Sequence, residues 1–166
     1  MPPLPRIESV TATETPHALR VVWQDGRTTD VDMTGAVNRI EAFAPLRDAD
    51  MFRRLAVVDH GHGVEWPGGL DFSATSLDFL AREQAPFTAG DFAAWQEALR
   101  LSNREAADLL DASISTVKNY RTGHPIPKPV TMACRATLRD PALAMAHLRP
   151  RFAGRPTKGP GHPPVS

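Results

Sequence analysis

The sequence predicts a small α+β domain followed by an all-α domain. Three observations support this fold class. Hydrophobic residues follow a period of two in the first half, as in strands, and of about 3.6 in the second half, as in helices. The segment Glu83-Gln-Ala-Pro86 marks the boundary between them. The charge changes there too: residues 1–86 carry eight Arg, no Lys and thirteen acidic residues, whereas residues 87–166 carry eleven basic and six acidic residues.

We therefore expect an α+β domain at residues 1–84, with a small antiparallel sheet and short helices, and a helical domain at residues 85–150. Residues 151–166 are basic and rich in Pro and Gly, so a disordered tail is expected there. A neutral chain with one acidic and one basic half indicates a polyanion as partner of the second domain. The alternative is chance scatter of charges on two solvated surfaces.

The first half contains the signals of two strand pairs and one short helix. Asp25-Gly26 is a dipeptide that tight hairpin turns favour, and it separates two runs of alternating hydrophobic residues. The predicted elements are a strand at 6–13, a hairpin at 19–33, strands at 55–59 and 63–66, and a helix at 73–82. Side chains expected to share a face are Ile7, Ser9 and Thr11, then Leu19, Val21 and Trp23, then Val31 and Met33, and in the helix Leu77 and Leu80.

The second half contains helix signals at short intervals. Two capping boxes, in which Ser or Thr is followed three positions later by an acidic residue, precede the first two helices. They are Thr88 with Asp91 and Ser102 with Glu105. Ser113 is expected to cap a third helix that ends at Gly123. The predicted helices span about 89–100, 103–110, 114–121, a stretch after residue 129 to about 139, and 141–148.

Residues 103–123 fit a helix-turn-helix. Two short helices that cross at roughly 90–120° need a small residue at the crossing, and Ala107 takes that position. The turn needs a residue that tolerates a left-handed backbone, and Asp111 lies there. Val117 and Tyr120 lie three residues apart, as expected for the pair that packs the second helix onto the core. The alternative is a helical hairpin whose polar face is merely solvated.

This stretch resembles the helix-turn-helix of the lambda repressor and Cro superfamily, also called the XRE type. Residues 106–123, AADLLDASISTVKNYRTG, are similar to the family pattern A-x-x-L-G-V-S-x-S-T-V-x-x-W/Y-x-x-G. Asp111 and Ala112 replace glycine and valine, and Ile114 stands where many relatives have a polar base-reading residue. The resemblance implies a lambda-repressor-like fold and binding of double-stranded DNA by a homodimer on a palindromic site.

The resemblance also implies roles for individual residues. Lys118 and Asn119 would contact guanine and adenine, and Ile114 would rest against a thymine methyl group. Amide groups at the start of the first helix would hold a phosphate, and nearby cations, with Arg104 as a further candidate, would add attraction that is independent of sequence. The predicted DNA-binding residues are Ser102, Asn103, Ser113, Ile114, Ser115, Thr116, Lys118, Asn119, Arg121 and Lys128.

The first half resembles a small bacterial family, domain of unknown function 2442, which is also found ahead of a repressor-like helical domain. The likeness spans about residues 21–80. It is carried by Trp23-Gln-Asp-Gly26, Val31-Asp-Met33, Phe43-x-Pro-Leu46, Phe52 and Val64-Glu-Trp-Pro-Gly-Gly-Leu-Asp71. It implies an α+β fold and no known activity.

Other chemistry has weaker signals. We interpret a histidine pair as part of a turn, two carboxylate pairs as solvated, and two tryptophans as core, although each tryptophan could also line a groove. These are His60 with His62, Asp30 with Asp32, Asp48 with Asp50, and Trp23 and Trp66. Cys134 is most simply a buried small side chain. No phosphate-cradling glycine loop, nucleophile elbow or zinc-finger spacing is present, so neither a cofactor nor an enzymatic activity is predicted.

The sequence also bears on location. No apolar run approaches the ~20 residues that cross a bilayer, and the first ten residues lack the pattern of a signal peptide. A single cysteine excludes an internal disulfide and fits a reducing compartment, so a cytoplasmic protein is expected.

Our leading hypothesis is a bacterial transcriptional regulator or antitoxin-like DNA-binding protein. The alternative is an adaptor whose N-terminal domain binds a partner protein such as a toxin.

Overall fold

The computed structural model describes residues 1–149. These residues belong to two units, Met1–Pro86 and the part of the chain from Phe87 onward. Within the described range the N-terminal unit contains two small antiparallel sheets and short helices, and the C-terminal unit contains helices, so the α+β class is confirmed. No helix in this range is both long and apolar enough to span a membrane. The tail predicted at residues 151–166 lies outside the described residues.

The N-terminal unit is a chain of short elements around one core. Strands β1 (Ile7–Ala12), β2 (Ala18–Trp23) and β3 (Thr28–Asp32) form the first sheet, in that order. Helix α1 (Thr34–Arg39), a 3-10 helix (Glu41–Arg47) and α2 (Ala49–Phe52) follow. Strands β4 (Ala56–Val58), β5 (Gly63–Trp66) and β6 (Leu70–Ser73) form the second sheet, and α3 (Ala74–Gln84) comes last.

The predicted hairpin is confirmed as β2 and β3. The Trp23 N–H donates to the Arg27 carbonyl oxygen at 2.8 Å, and Gly26 in the turn has a φ of +89°. The predicted inward residues of both strands are fully buried, together with Trp66 of β5. Burying one large apolar side chain stabilises a fold by about 1.5–3 kcal/mol, so these strands supply much of the stability of the unit.

In β1, the side chains that face the core differ in part from those predicted. A β-bulge lies between Ile7 and Ser9, where the register to β2 shifts. Ile7 is buried as expected, but beyond the bulge Val10 and Ala12 pack against the core, whereas Ser9 and Thr11 are exposed. One extra residue in a strand turns the following side chains to the opposite face, which explains the error.

The C-terminal unit contains α4 (Ala89–Ala98), α5 (Asn103–Leu109), α6 (Ile114–Arg121), α7 (Lys128–Arg139) and α8 (Pro141–His147). Both predicted capping boxes are present at the starts of α4 and α5. The core is formed by Phe92, Trp95, Ala106, Ala107, Val117, Tyr120 and Cys134. The Trp95 indole N–H donates to the Thr137 hydroxyl at 2.9 Å, which ties α4 to α7.

A left-handed turn holds β1 against the loop between β4 and β5. Asp59, His60 and Gly61 have φ values of +50°, +54° and +90°. A Cβ at Gly61 would collide with the carbonyl oxygen of Ile7 and would lie 3.0 Å from its backbone nitrogen. Glycine is therefore required at this position both for its φ and for the close approach of two backbones.

We predict that Gly61→Ala lowers the free energy of unfolding of the N-terminal unit by about 3 kcal/mol or more, because backbone strain and a steric clash add together. Gly68→Ala is the matched control: its φ is +89°, but nothing lies within 4 Å of the added Cβ. That control should lose only about 1–2 kcal/mol. Urea unfolding followed through the amide NMR signals of β2 measures both losses, and equal losses would contradict the clash.

Candidate nucleic-acid interface

Helices α5 and α6 are joined by the short segment at residues 110–113. Asp111 has a φ of +51°, which confirms the predicted left-handed turn. Its N–H donates to the Asp108 carbonyl oxygen at 3.3 Å, and the Ala112 N–H donates to that of Ala107 at 2.9 Å. These two bonds satisfy carbonyl groups at the end of α5 and redirect the chain into α6.

Helix α6 has one buried and one exposed face. Val117 is fully buried, and the Tyr120 ring packs edge-on against Phe92 with centroids 5.4 Å apart. The exposed side chains are Ile114, Ser115, Lys118, Asn119 and Arg121. The helix contains no acidic residue, so its outward face presents two cations, hydrogen-bonding groups and one apolar side chain.

Ser113 and Thr116 hold the start of α6. The Ser113 hydroxyl oxygen accepts from the Thr116 N–H at 3.0 Å, and the two hydroxyl groups lie 2.8 Å apart. Thr116 is half-buried. Both hydroxyl groups are therefore engaged within the protein. The other four predicted residues between positions 114 and 119 are exposed to solvent: Ile114, Ser115, Lys118 and Asn119.

At the start of α5, where a phosphate site is predicted, Ser102 and Glu105 form a capping box. The Ser102 N–H donates to Glu105 Oε2 at 2.8 Å, and the Ser102 hydroxyl accepts from the Glu105 N–H at 3.2 Å. Hydrogen bonds from the Ser102 backbone hold the pKa of Glu105 below its usual value, so this carboxylate is charged at neutral pH. A phosphate at this point would meet a negative charge, and the Ser102 N–H already donates to that carboxylate.

Gln96 of α4 connects the two helices and was missed by the sequence reasoning. It is 3% exposed; its amide nitrogen donates to the Leu101 carbonyl oxygen at 3.2 Å and to Asn103 Oδ1 at 3.0 Å. Its amide oxygen accepts from Arg121 Nη1 at 2.8 Å. The residue therefore positions Asn103 and Arg121, two of the predicted DNA-binding residues. Nothing in its local sequence distinguishes it from a surface glutamine.

The remaining predicted cations lie on exposed positions. Lys128 is the first residue of α7, and Arg104 is the second residue of α5. Neither Lys118 nor Lys128 has an ion-pair partner among residues 1–149. From residue 112 to residue 149 the sequence has six basic residues and a single acidic one, Asp140. The charges of Lys118 and Lys128 are therefore available to a polyanion.

The weaker candidates have structural roles. Asp30 accepts two bonds of 2.7 Å from Arg20, Asp48 caps α2, and Asp50 pairs with Arg53. No group of three His, Cys, Asp or Glu in the described range could hold a metal ion. Burial raises the pKa of Cys134 to about 12, so its thiol is protonated and unreactive.

We predict that Gln96→Leu lowers the free energy of unfolding of the C-terminal unit by about 1–3 kcal/mol, because leucine removes the hydrogen bonds of this buried amide to its part-buried partners. Glu97→Leu, at the adjacent exposed position, is the control and should have little effect on stability. Urea unfolding measures the difference. A Gln96→Leu protein as stable as the control would show that this amide does not hold the three helices together.

No curated protein is significantly similar to the chain. A solved structure from Nitrosomonas europaea, of a protein provisionally named a DNA binding protein, is 30% identical; the similarity covers 81% of this chain and 86% of that one, with a TM-score of 0.46.

The family comparison concerns the N-terminal unit. Residues 7–83 match the family described as Protein of unknown function (DUF2442). The match begins at β1 and ends within α3, so it takes in both sheets, and it confirms the resemblance inferred from the tryptophan- and glycine-containing segments of the first half. The N-terminal unit of this chain is therefore similar to the DUF2442 family.

Proposed function

We propose that this chain is a sequence-specific DNA-binding protein, a transcriptional regulator or antitoxin-like repressor, rather than an enzyme. The observation that carries the proposal is the division of α6 into two faces. Val117 and Tyr120 attach the helix to the core, and the opposite face is free of acidic residues and carries Lys118 and Asn119. A helix whose outer face only contacts solvent would not require cations without any acidic residue among them.

In this proposal the C-terminal unit is a lambda-repressor-like domain of the XRE type. Helix α6 would enter the major groove, and α5 would cross the DNA backbone. Asn119 can bond both to the N6 amino group and to N7 of adenine, and Lys118 can donate to guanine. Ile114 is 38% exposed, which is enough surface for contact with a thymine methyl group.

The phosphate contacts in this proposal come from side chains rather than from the start of α5. Arg121 Nη1 donates a hydrogen bond to Gln96. The guanidinium group has five N–H donors, so others remain for a phosphate. Lys128 is exposed beyond the turn that follows α6. Each such contact releases condensed counterions from DNA, so binding should weaken steeply as salt rises.

A single unit of this kind reads few base pairs, so we propose that a homodimer binds a palindromic site with half-sites about one helical turn apart. The DUF2442 unit would supply dimerisation or the binding of a partner protein or ligand. In the adaptor hypothesis, that unit binds a protein such as a toxin and the helical unit no longer binds DNA. This hypothesis therefore predicts no binding in a DNA-binding assay.

Selection of bound sequences from a random DNA pool with the purified full chain tests this proposal directly. We expect enrichment of a palindrome, because two copies of α6 would read equivalent half-sites. Failure to enrich any sequence, with no gel shift at low salt, would contradict DNA binding and favour the adaptor hypothesis.

We also predict that the double substitution Lys118→Ala and Asn119→Ala abolishes the preference for the selected site while leaving the fold intact. Each good base contact contributes about 1–3 kcal/mol of discrimination, so the loss of both should weaken binding to the specific site by roughly thirtyfold or more. Fluorescence anisotropy on specific and scrambled duplexes measures the ratio.

The matched control for that pair is Asn38→Ala with Arg39→Ala, which removes the same kinds of side chain from exposed positions at the end of α1. This control should keep the sequence preference. An unchanged preference in the α6 variant, or an equal loss in the control, would assign the reading of bases to another surface.

A further inference from the structure

The buried Gln96 amide determines which atoms of two neighbouring side chains face outward. Its oxygen accepts from Arg121 Nη1, and because arginine can only donate, the Gln96 oxygen must face α6. The Gln96 nitrogen therefore faces α5, where it donates to Asn103 Oδ1. Since Asn103 uses its oxygen in that bond, its Nδ2 is directed away from Gln96 as a donor.

The outward donors of Asn103 and Arg121 are accessible and unused. Asn103 Nδ2 has no acceptor among residues 1–149. No buried side-chain nitrogen or oxygen in that range lacks a hydrogen-bond partner, so this Nδ2 is not buried. Arg121 is exposed and has no ion-pair partner in the same range, and its Nε and Nη2 groups remain for another acceptor.

The two side chains lie within reach of a single anion. Their bonds to Gln96 are 2.8 Å and 3.0 Å long, so Arg121 Nη1 and Asn103 Oδ1 are no more than about 8 Å apart. A phosphate group that accepts bonds of ~2.9 Å on two of its oxygens spans a similar distance between donors. Glu105 is two positions further along α5, so its side chain lies on a different face of that helix from Asn103.

We propose that Asn103 and Arg121 bind one phosphate group of duplex DNA together, and that Gln96 is the positioning residue that directs their donors toward it. This inference rests on the proposed function, in which α5 crosses the DNA backbone while α6 lies in the major groove. The contacts come from side chains and not from the backbone amides of α5. Gln96 is 3% exposed, so it acts through its two partners rather than on the DNA itself.

Asn103→Asp tests the shared contact. Aspartate keeps an oxygen for the Gln96 amide but has no N–H, and it adds a negative charge where the phosphate would lie. A carboxylate in the first turn of a helix is favourable, so the variant should unfold at the same urea concentration as the parent or at a higher one. Its affinity for the selected duplex, measured by fluorescence anisotropy, should fall about tenfold or more. The control Asn38→Asp adds the same charge at an exposed position of α1 and should bind as the parent does.

Gln96→Glu tests the positioning role. Glutamate keeps an oxygen for Arg121 but cannot donate to Asn103, so Asn103 would turn its Nδ2 inward and Arg121 would pair with the carboxylate instead of a phosphate. The slope of log Kd against log salt should therefore fall by about 0.9, the value of one phosphate contact. A residue that only stabilised the fold would change the urea midpoint and leave this slope as it is. The control is Gln84→Glu in α3, where the amide likewise bonds to an N–H and a carbonyl group, both of Asp32; it should keep the parent slope.

A double-mutant cycle gives a second measurement that places no charge in the core. Gln96→Leu is introduced into the parent chain and into a chain that already carries Asn103→Ala and Arg121→Ala. A positioning residue loses its effect once the residues that it positions are gone, so Gln96→Leu should weaken DNA binding in the first background only. Equal weakening in both backgrounds would contradict the positioning role.

The outcomes separate this inference from the proposed function. A parent chain that binds DNA, together with an Asn103→Asp variant that binds like its control, would overturn the shared contact and leave the function intact. An unchanged salt slope in a folded Gln96→Glu protein would overturn the positioning role. If that protein does not fold, the cycle with Gln96→Leu decides the same question. A parent chain without DNA binding would overturn both the inference and the function.

Discussion

The edge-on contact between Tyr120 and Phe92, with centroids 5.4 Å apart, fixes the rotation of α6 about its own axis. Val117 is fully buried one turn earlier, so two anchor points lie on the same side of the helix. Once these are set, every other side chain of α6 has a determined direction. The exposed position of Lys118 and Asn119 is thus a consequence of how the core is packed.

The turn before α6 adds a second constraint. Asp111 takes a left-handed backbone that costs most residues roughly 1–2 kcal/mol, although Asp tolerates it better than bulkier side chains. The turn is held by hydrogen bonds to the end of α5, and Gln96 ties the far end of α6 to the start of α5. Both ends of α6 are therefore fixed relative to α5, as a helix that reads DNA requires.

Local signals explain what could be predicted from the sequence. The Asp25-Gly26 hairpin, the capping boxes at Thr88 and Ser102 and the turn at Asp111 depend on neighbouring residues, and each is present. The short helices between residues 34 and 52 were not predicted, because elements of four to seven residues show no measurable period. Strand β6 was likewise not predicted, because the strands expected from the pattern ended at residue 66, before Pro67-Gly68-Gly69. The role of Gln96 depends on partners five to twenty-five residues away.

The cations of the chain differ in whether an aspartate already pairs with them, and this difference bears on where a polyanion can bind. Arg20, Arg27, Arg53 and Arg82 of the N-terminal unit each pair with an aspartate of the same unit. A phosphate would have to displace those aspartates, at the cost of an existing ion pair. Lys118 and Lys128 have no such partner among residues 1–149, so a DNA strand can approach them without that cost. Local pairing of charges therefore leaves Lys118 and Lys128 open to a DNA strand, whereas these four arginines are already engaged.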